Sequence, residues 1–207
     1  MSSLMCPATL VVARHGDAEY VERVFSDEGG TLTSAGRRQA AELAEHLAGR
    51  RIAHVWCSDA ARAVQTAEIV AARFGVAVTT RKSLREVDVG DLAGQPFSVE
   101  AVCNVTDQWF RGDLAAAFPG GESGHDVVAR YAAALAEIAD LHRGETVVVV
   151  GHENAASISL PSLARTTAPT AGDRQRLDHC ECAELVVDAD DWVISSWGEP
   201  HSEPAQG

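Results

Sequence analysis

Two uninterrupted apolar runs, each ending beside a histidine, constrain this chain more than any other feature. The first covers residues 10–16 and reads LVVARHG; the second covers residues 147–152 and reads VVVVGH. Runs without polar alternation predict strands buried on both faces, as in a sheet covered by helices on both sides. Ligands of open α/β sheets bind at the carboxyl edge of the strands. We therefore expect Arg14, His15 and His152 to meet there in one basic pocket that suits a phosphate.

The rest of the chain predicts the helices and strands that complete such a sheet. Apolar residues recur at helical spacing after Thr33, after a cap at Ser58 or Asp59, and after Ser123. A helix is also predicted over residues 97–110, and a short one after His152 that Pro161 ends. The predicted strands cover residues 9–13, 52–57, 76–79, 147–150, 184–188 and 192–197, the last two joined as a hairpin.

These elements predict an α/β fold, a three-layer α/β/α sandwich whose mostly parallel sheet has an antiparallel edge. The chain has 207 residues, of which 46% are hydrophobic. That length favours a single domain over residues 1–197, with residues 198–207 expected to be a disordered tail.

Charge and cysteine usage exclude several classes of function. A formal net charge of −13 argues against a nucleic-acid partner, because such binding depends on clustered Lys and Arg. No apolar run approaches the roughly 18 residues that span a bilayer, and the first residues lack the pattern of a signal peptide. Five scattered cysteines indicate reduced thiols and a cytoplasmic protein. Cys180 and Cys182 alternate along a predicted strand, which favours a structural role over a metal site.

The two histidines could each be a metal ligand, a general base or a nucleophile. Arg14 stands directly beside His15, and its fixed positive charge opposes a bound cation. An imidazole among arginines is better suited to attack phosphorus, since the arginines neutralise the phosphoryl oxygens. Arg62, in the first turn of the second helix, fits either an anion site or an ordinary solvated helix face.

Six motifs, taken in order, resemble the histidine phosphatase superfamily, in its branch of phosphoglycerate mutase-like phosphatases. The resemblance runs from about residue 10 to residue 160. The matching residues are Arg14-His15-Gly16; Leu32-Thr33 with Gly36 and Gln39-Ala40; Arg62-Ala63 with Gln65-Thr66-Ala67; Leu84 with Glu86 and Gly90; Pro119-Gly120-Gly121-Glu122-Ser123; and Gly151-His152.

The resemblance implies a role for each of five residues. His15 would be the nucleophile that forms a phosphohistidine, and Glu86 would be the general acid and base. Arg14, Arg62 and His152 would hold the phosphoryl oxygens. The resemblance implies no metal and no other cofactor.

Other polar residues near these motifs leave alternatives open. Asp88 and Asp91 compete with Glu86 as the acid, although only Glu86 matches the family position. Glu122 and Ser123 could line the phosphate site, but Ser123 with Asp126 equally forms a capping box.

The departures from the family pattern bear on the substrate rather than on the reaction. After Gly16 the chain reads Asp17-Ala18, where many relatives have Glu-Thr. After His152 it reads Glu153-Asn154, where Gly or Ala is more usual. The lid segment, about residues 93–125, is short, which favours hydrolysis of a small phosphorylated metabolite. A phosphoglycerate-type mutase and a phosphate-binding protein with little turnover remain the alternatives. Neither a membrane nor a nucleic acid is expected as a partner, and the sequence leaves the oligomeric state open.

Overall fold

A computed structural model describes residues 6–19, 24–26, 30–167, 176–189 and 191–198. The strands are β1 (Ala8–Arg14), β2 (Ala18–Glu19), β3 (Thr31–Leu32), β4 (Ile52–Cys57), β5 (Val78–Thr80), β6 (Thr146–Gly151), β7 (Arg165–Thr166), β8 (Cys182–Val187) and β9 (Trp192–Trp197). The α-helices are α1 (Ser34–His46), α2 (Ala61–Phe74), α3 (Val99–Phe110), α4 (Gly124–Leu141) and α5 (Glu153–Leu163).

Seven of these strands form one mixed sheet in the order β5-β4-β6-β1-β8-β9-β7. β1, β4, β5 and β6 run parallel, whereas β8 runs antiparallel to both of its neighbours. The predicted α/β fold, with a mostly parallel sheet and an antiparallel edge, is confirmed. β2 and β3 form a separate two-stranded ladder in the loop that follows β1.

The two central strands bury both of their faces, as their unbroken apolar runs predict. In β1, Leu10 and Val12 pack in the core layer beneath α4 and α5, while Val11 faces the layer beneath α1 and α2. In β6, Val147 and Val148 divide between the same two layers. Alternating side chains point to opposite faces of a strand, so a run of valines fills both layers of a sandwich.

The structure corrects two local predictions. Helix α2 begins after Ala60 without a side-chain cap, because Ser58 and Asp59 lie before the cap position. Helix α5 continues past Pro161 to Leu163, although a proline there was expected to end it. Six consecutive residues of α5 before the proline are buried. Tertiary packing of this kind stabilises a helix that local propensity alone would stop.

Two other sequence features fall partly outside the described residues. Except for Gly198, the expected tail over residues 198–207 lies beyond them. Among the helices that the structure does describe, none combines the length and the apolar character needed to cross a bilayer.

Gly151, the last residue of β6, packs against the buried hydroxyl of Tyr131 from α4. A Cβ at Gly151 would lie 2.5 Å from the Tyr131 Oη. We expect Gly151→Ala to lower the free energy of unfolding by about 1–3 kcal/mol through overpacking. Tyr131→Phe should restore most of that loss in the double variant, because it removes the clashing atom. Urea unfolding of the four proteins tests this, and strictly additive effects would contradict it.

Candidate active site

The parallel pairing of β1 with β6 brings both histidines to the carboxyl edge of the sheet. Arg14 lies opposite Gly151 in the ladder, and the His15 backbone nitrogen donates to the Gly151 carbonyl at 3.1 Å. The imidazole rings of His15 and His152 consequently lie 5.2 Å apart. A cavity of about 700 Å³ opens at this edge and is lined by Arg14, His15, Arg62 and Glu86 among others. The fold thus gathers the basic pocket that the two runs predict.

Two hydrogen bonds fix the tautomer of His15. Its Nδ1 lies 2.7 Å from the Gly16 carbonyl oxygen, and its Nε2 lies 3.2 Å from the Arg62 Nε. A carbonyl only accepts and a guanidinium only donates. Nδ1 therefore carries the proton, and the unprotonated Nε2 accepts the hydrogen bond from Arg62.

His15 is also held in its neutral form. Burial is the main cause that lowers the pKa of His15 to about 3, and the positive charges of Arg62 and Arg14 add to it. The hydrogen bond to Gly16 acts in the opposite direction. A neutral imidazole with an unshared pair is the nucleophilic form of histidine.

Arg62 is buried between the two histidines. This excludes the alternative that it is an ordinary solvated residue on the surface of the helix. It is 4% exposed, and its Nη2 donates to the His152 Nδ1 at 3.2 Å. The opposite nitrogen of that ring, Nε2, donates to the Ser58 Oγ at 2.9 Å. His152 thus lies behind Arg62 and orients it, while burial lowers the pKa of His152 well below its ordinary range.

Backbone contacts clamp the loop that follows His15. The Gly16 nitrogen donates to the Thr66 Oγ1 at 3.1 Å, and that hydroxyl donates to the Arg62 carbonyl. A Cβ at Gly16 would lie 2.5 Å from the Gly36 carbonyl oxygen, and one at Gly36 would lie 2.0 Å from the Asp17 oxygen. Gly16 and Gly36, which both belong to the matching motifs, therefore allow two backbone segments to approach each other closely.

Arg14 reaches the cavity with one side of its guanidinium already engaged. Its Nη1 donates to the Leu177 carbonyl at 3.1 Å and contacts the Glu153 Oε2 at 2.6 Å. Its Nε is buried and has no hydrogen-bond partner among the described residues. An unpaired buried donor is unfavourable, and a bound anion that reached this nitrogen would supply the missing acceptor.

The carboxylate of Glu86 is held at the N-terminus of α5. Its Oε1 accepts from the Ala155 nitrogen at 2.9 Å, and its Oε2 accepts from the Asn154 nitrogen at 3.1 Å. The free N–H groups of a first helical turn are suited to bind a negative charge. Of the three acids considered, Glu86 alone lines the cavity; Asp88 instead accepts from the Gly90 nitrogen within its own turn.

Arg130 holds the loop that carries Glu86, and the sequence analysis missed it. Its guanidinium donates to the backbone carbonyls of Ser83, Arg85 and Glu86 and pairs with Glu122 at 2.6 Å. Glu122 is therefore engaged away from the cavity. Ser123 forms the predicted capping box of α4 with Asp126. The only sequence signal for Arg130 is one long basic residue beside the apolar stripe of a helix.

A second arginine that the sequence analysis missed, Arg176, lies at the cavity mouth. Its Nη1 contacts the Glu153 Oε1 at 2.9 Å and the Asn154 Oδ1 at 3.1 Å. Its Cζ lies 4.3 Å from the centre of the Phe110 ring on α3. Arg176 thus links α3 to the first turn of α5, and no motif or periodicity in the sequence marks it.

Apolar side chains form most of the remaining cavity surface. Residues 24–26 pair with residues 94–96 through a bridge between Val24 and Pro96, so the loop after β1 meets the start of the predicted lid. We call the following residues the apolar wall: Phe25, Val89, Phe97, Val99, Val102 and Phe118. The sequence predicted the lid segment but not the apolar composition of this surface.

Cys180 and Cys182 both pack in the core layer beneath α1 and α2. Burial raises the pKa of the Cys180 thiol to about 12. Both observations fit the structural role expected from their alternation. Within the described part of the chain, no cluster of His, Cys, Asp and Glu has the make-up of a metal site.

Two buried neutral imidazoles make stability depend on pH. The folded pKa values of His15 and His152 lie below the ordinary value of 6.5. Their contribution to stability is therefore present above pH 6.5 and is lost as the pH falls, because only the unfolded chain takes up these protons. Between about pH 6.5 and pH 4.5, we expect the free energy of unfolding of His15→Asn to fall by about 2 kcal/mol less than that of the wild type. Urea unfolding at both pH values measures this, and equal losses would contradict it.

Comparisons with known proteins agree with this geometry. The model of the histidine phosphatase superfamily (branch 1) matches residues 10–200. Phosphoglycerate mutase-like protein 4 of Arabidopsis thaliana is 34% identical over 207 residues, covering 93% of this chain and 85% of that protein.

Two solved structures are similar at 26% sequence identity. The native structure of mycobacterial glucosyl-3-phosphoglycerate phosphatase has a TM-score of 0.75, with 93% of this chain and 99% of that one covered. The structure of Bacillus stearothermophilus YhfR has a TM-score of 0.76, with 95% and 100% covered. The predicted resemblance is confirmed, and the chain belongs to the histidine phosphatase superfamily, branch 1.

Proposed function

We propose that this protein hydrolyses small phosphomonoesters through a phosphohistidine on His15, without a metal or other cofactor. The observation that carries the proposal is the state of His15. Its ring is neutral, its Nε2 electron pair is free of a proton, and it shares a cavity with Arg14, Arg62 and Glu86. A nucleophile, cationic groups and one carboxylate are the parts that phosphoryl transfer through a covalent intermediate requires.

In the first step, the Nε2 of His15 attacks phosphorus as the bond from phosphorus to the leaving oxygen breaks. Glu86 enters this step as the carboxylic acid and donates its proton to that oxygen, and the alcohol departs. In the second step, Glu86 takes a proton from water, the water oxygen attacks phosphorus, and the electron pair of the P–N bond returns to Nε2. Inorganic phosphate then leaves, and both residues regain their starting protonation states.

Arg14 and Arg62 would hold the phosphoryl oxygens and neutralise the charge that develops on them. Arg14 can offer its unpaired Nε while its Nη1 stays on Leu177 and Glu153. His152 now orients Arg62 through Nδ1. For His152 to contact a phosphoryl oxygen itself, that nitrogen must take up a proton, which a dianionic ligand favours.

A mutase is the second candidate, since the Arabidopsis relative is named as phosphoglycerate mutase-like. A mutase must hold a carboxylated substrate while the phosphoryl group is returned to it. Most of the cavity surface outside the phosphate region is instead apolar. This composition favours release of the alcohol and transfer to water.

The proposal is tested by hydrolysis of p-nitrophenyl phosphate in excess EDTA, alongside conversion between phosphoglycerate isomers. We expect EDTA-resistant release of phosphate and no isomerisation. Loss of activity on adding EDTA would contradict the metal-independent mechanism. Isomerisation faster than phosphate release would favour the mutase. If phosphate raises the melting temperature while no ester is turned over, the protein is a phosphate binder.

A further inference from the structure

The cavity contains an acidic residue that phosphoryl transfer, as proposed above, does not use. Glu153 is the first residue of α5, and its carboxylate bridges Arg14 at 2.6 Å and Arg176 at 2.9 Å. Its side chain is only 22% exposed, so the bridge is partly shielded from water. In the sequence, Glu153 departs from the family pattern. The structure gives it two cationic partners inside the cavity.

This bridge sets the charge at the cavity mouth. Without Glu153, Arg14 and Arg176 would both present positive charge to a ligand, one toward the phosphoryl group and the other toward the rest of the substrate. With Glu153 in place, the charge of Arg176 is compensated by that carboxylate. The other carboxylate near Arg176, that of Asp107 at 3.5 Å, is half exposed and contributes little. Among the described residues at the cavity mouth, a second anionic group on a substrate would therefore meet a carboxylate rather than an uncompensated cation. Such like-charge contacts are strongly discriminating in partly desolvated sites.

The apolar wall favours the same kind of substrate. It faces the part of the cavity that a leaving group would occupy, and two of its aromatic rings, Phe25 and Phe97, lie 5.1 Å apart. Such a surface gains free energy by covering apolar groups and has few partners for a carboxylate or a second phosphate.

We propose that Glu153 is the specificity-determining residue of this cavity, and that with the apolar wall it selects phosphomonoesters whose leaving group is uncharged and largely apolar. Esters with a second anionic group are rejected, because they would have to displace Glu153 from Arg176 or approach it uncompensated. This inference rests on the proposed function, since it concerns the alcohol side of the same cavity.

A matched pair of esters tests the inference: 4-carbamoylphenyl phosphate and 4-carboxyphenyl phosphate. They have nearly the same shape, but only the second carries an additional negative charge. We expect the wild type to prefer the carbamoyl ester in kcat/KM by at least about tenfold. Glu153→Gln should bring this ratio close to one, because Arg176 then becomes available to the substrate carboxylate. Arg176→Gln should change the ratio in the opposite direction, since it leaves Glu153 less compensated.

Asp107→Asn is the control variant. It removes the other carboxylate beside Arg176, yet its side chain is half exposed and does not line the cavity. The ratio should stay within about twofold of wild type, as for most changes outside a binding site. Two results would overturn the inference without affecting the proposed phosphatase activity. One is a wild-type ratio near one, and the other is a ratio that neither Glu153→Gln nor Arg176→Gln changes. If the wild type hydrolyses neither these esters nor p-nitrophenyl phosphate, the proposed function itself fails.

Discussion

Replacing His15 by alanine is expected to lower kcat/KM for p-nitrophenyl phosphate by at least about 10³-fold, as for the nucleophiles of other covalent mechanisms. The physical reason is that, among the described residues that line the cavity, His15 carries the one imidazole. The other unprotonated nitrogen beside Arg62, the Nδ1 of His152, lies behind Arg62. Steady-state kinetics with EDTA present measures the loss.

His15→Asn serves as the control for folding, because it keeps a neutral polar group of similar reach at this buried position. Both variants should unfold cooperatively at neutral pH and lack activity. If either retains more than about a tenth of the wild-type kcat/KM, the loss is far smaller than removal of a nucleophile produces, and His15 is not the nucleophile.

Replacing Glu86 by glutamine should lower kcat/KM by about 10²- to 10⁴-fold for alkyl phosphates, the range typical of general acid–base catalysis. An amide can keep part of the contact with the first turn of α5 but cannot deliver a proton. The effect on p-nitrophenyl phosphate should be much smaller, because nitrophenolate leaves without protonation. Comparing the two substrates in kcat/KM isolates the first chemical step.

Asp88→Asn is the matched control, since Asp88 also lies on this loop, but its carboxylate accepts from the Gly90 nitrogen in the same turn and does not line the cavity. It should leave kcat/KM for alkyl phosphates nearly unchanged. An equal loss for both substrates in Glu86→Gln would assign Glu86 a positioning role. A larger loss in Asp88→Asn than in Glu86→Gln would reassign the acid.

The central sheet could be predicted because its signal is local. Four consecutive valines in β6 have one simple explanation, a strand covered on both faces, and both core layers contain them. Helix α5 could not be predicted in full, because its passage through Pro161 depends on burial against other elements. Ser58 likewise reads as a helix cap in sequence, yet its hydroxyl accepts from His152, 94 residues away.

The site residues also differ in whether the local sequence could predict them. His15 and His152 follow strands directly, so their meeting at one edge follows from the topology of a parallel sheet. Arg176 could not be found in this way. It acts through a long side chain whose partners lie on α3 and at the start of α5, as much as 70 residues away. The apolar wall is similarly assembled from segments that meet only in the folded chain.

The most direct test of the account is to look for phosphate bound covalently to His15. Glu86→Gln should accumulate the intermediate with p-nitrophenyl phosphate, because the variant slows attack by water more than formation of the P–N bond. Intact mass spectrometry after rapid alkaline quenching should detect one added phosphoryl group, lost in acid and located by fragmentation on His15. The phosphohistidine mechanism would be contradicted if the phosphoryl group were found on another residue. It would also be contradicted if the enzyme turned over substrate under these conditions without any detectable phosphoenzyme.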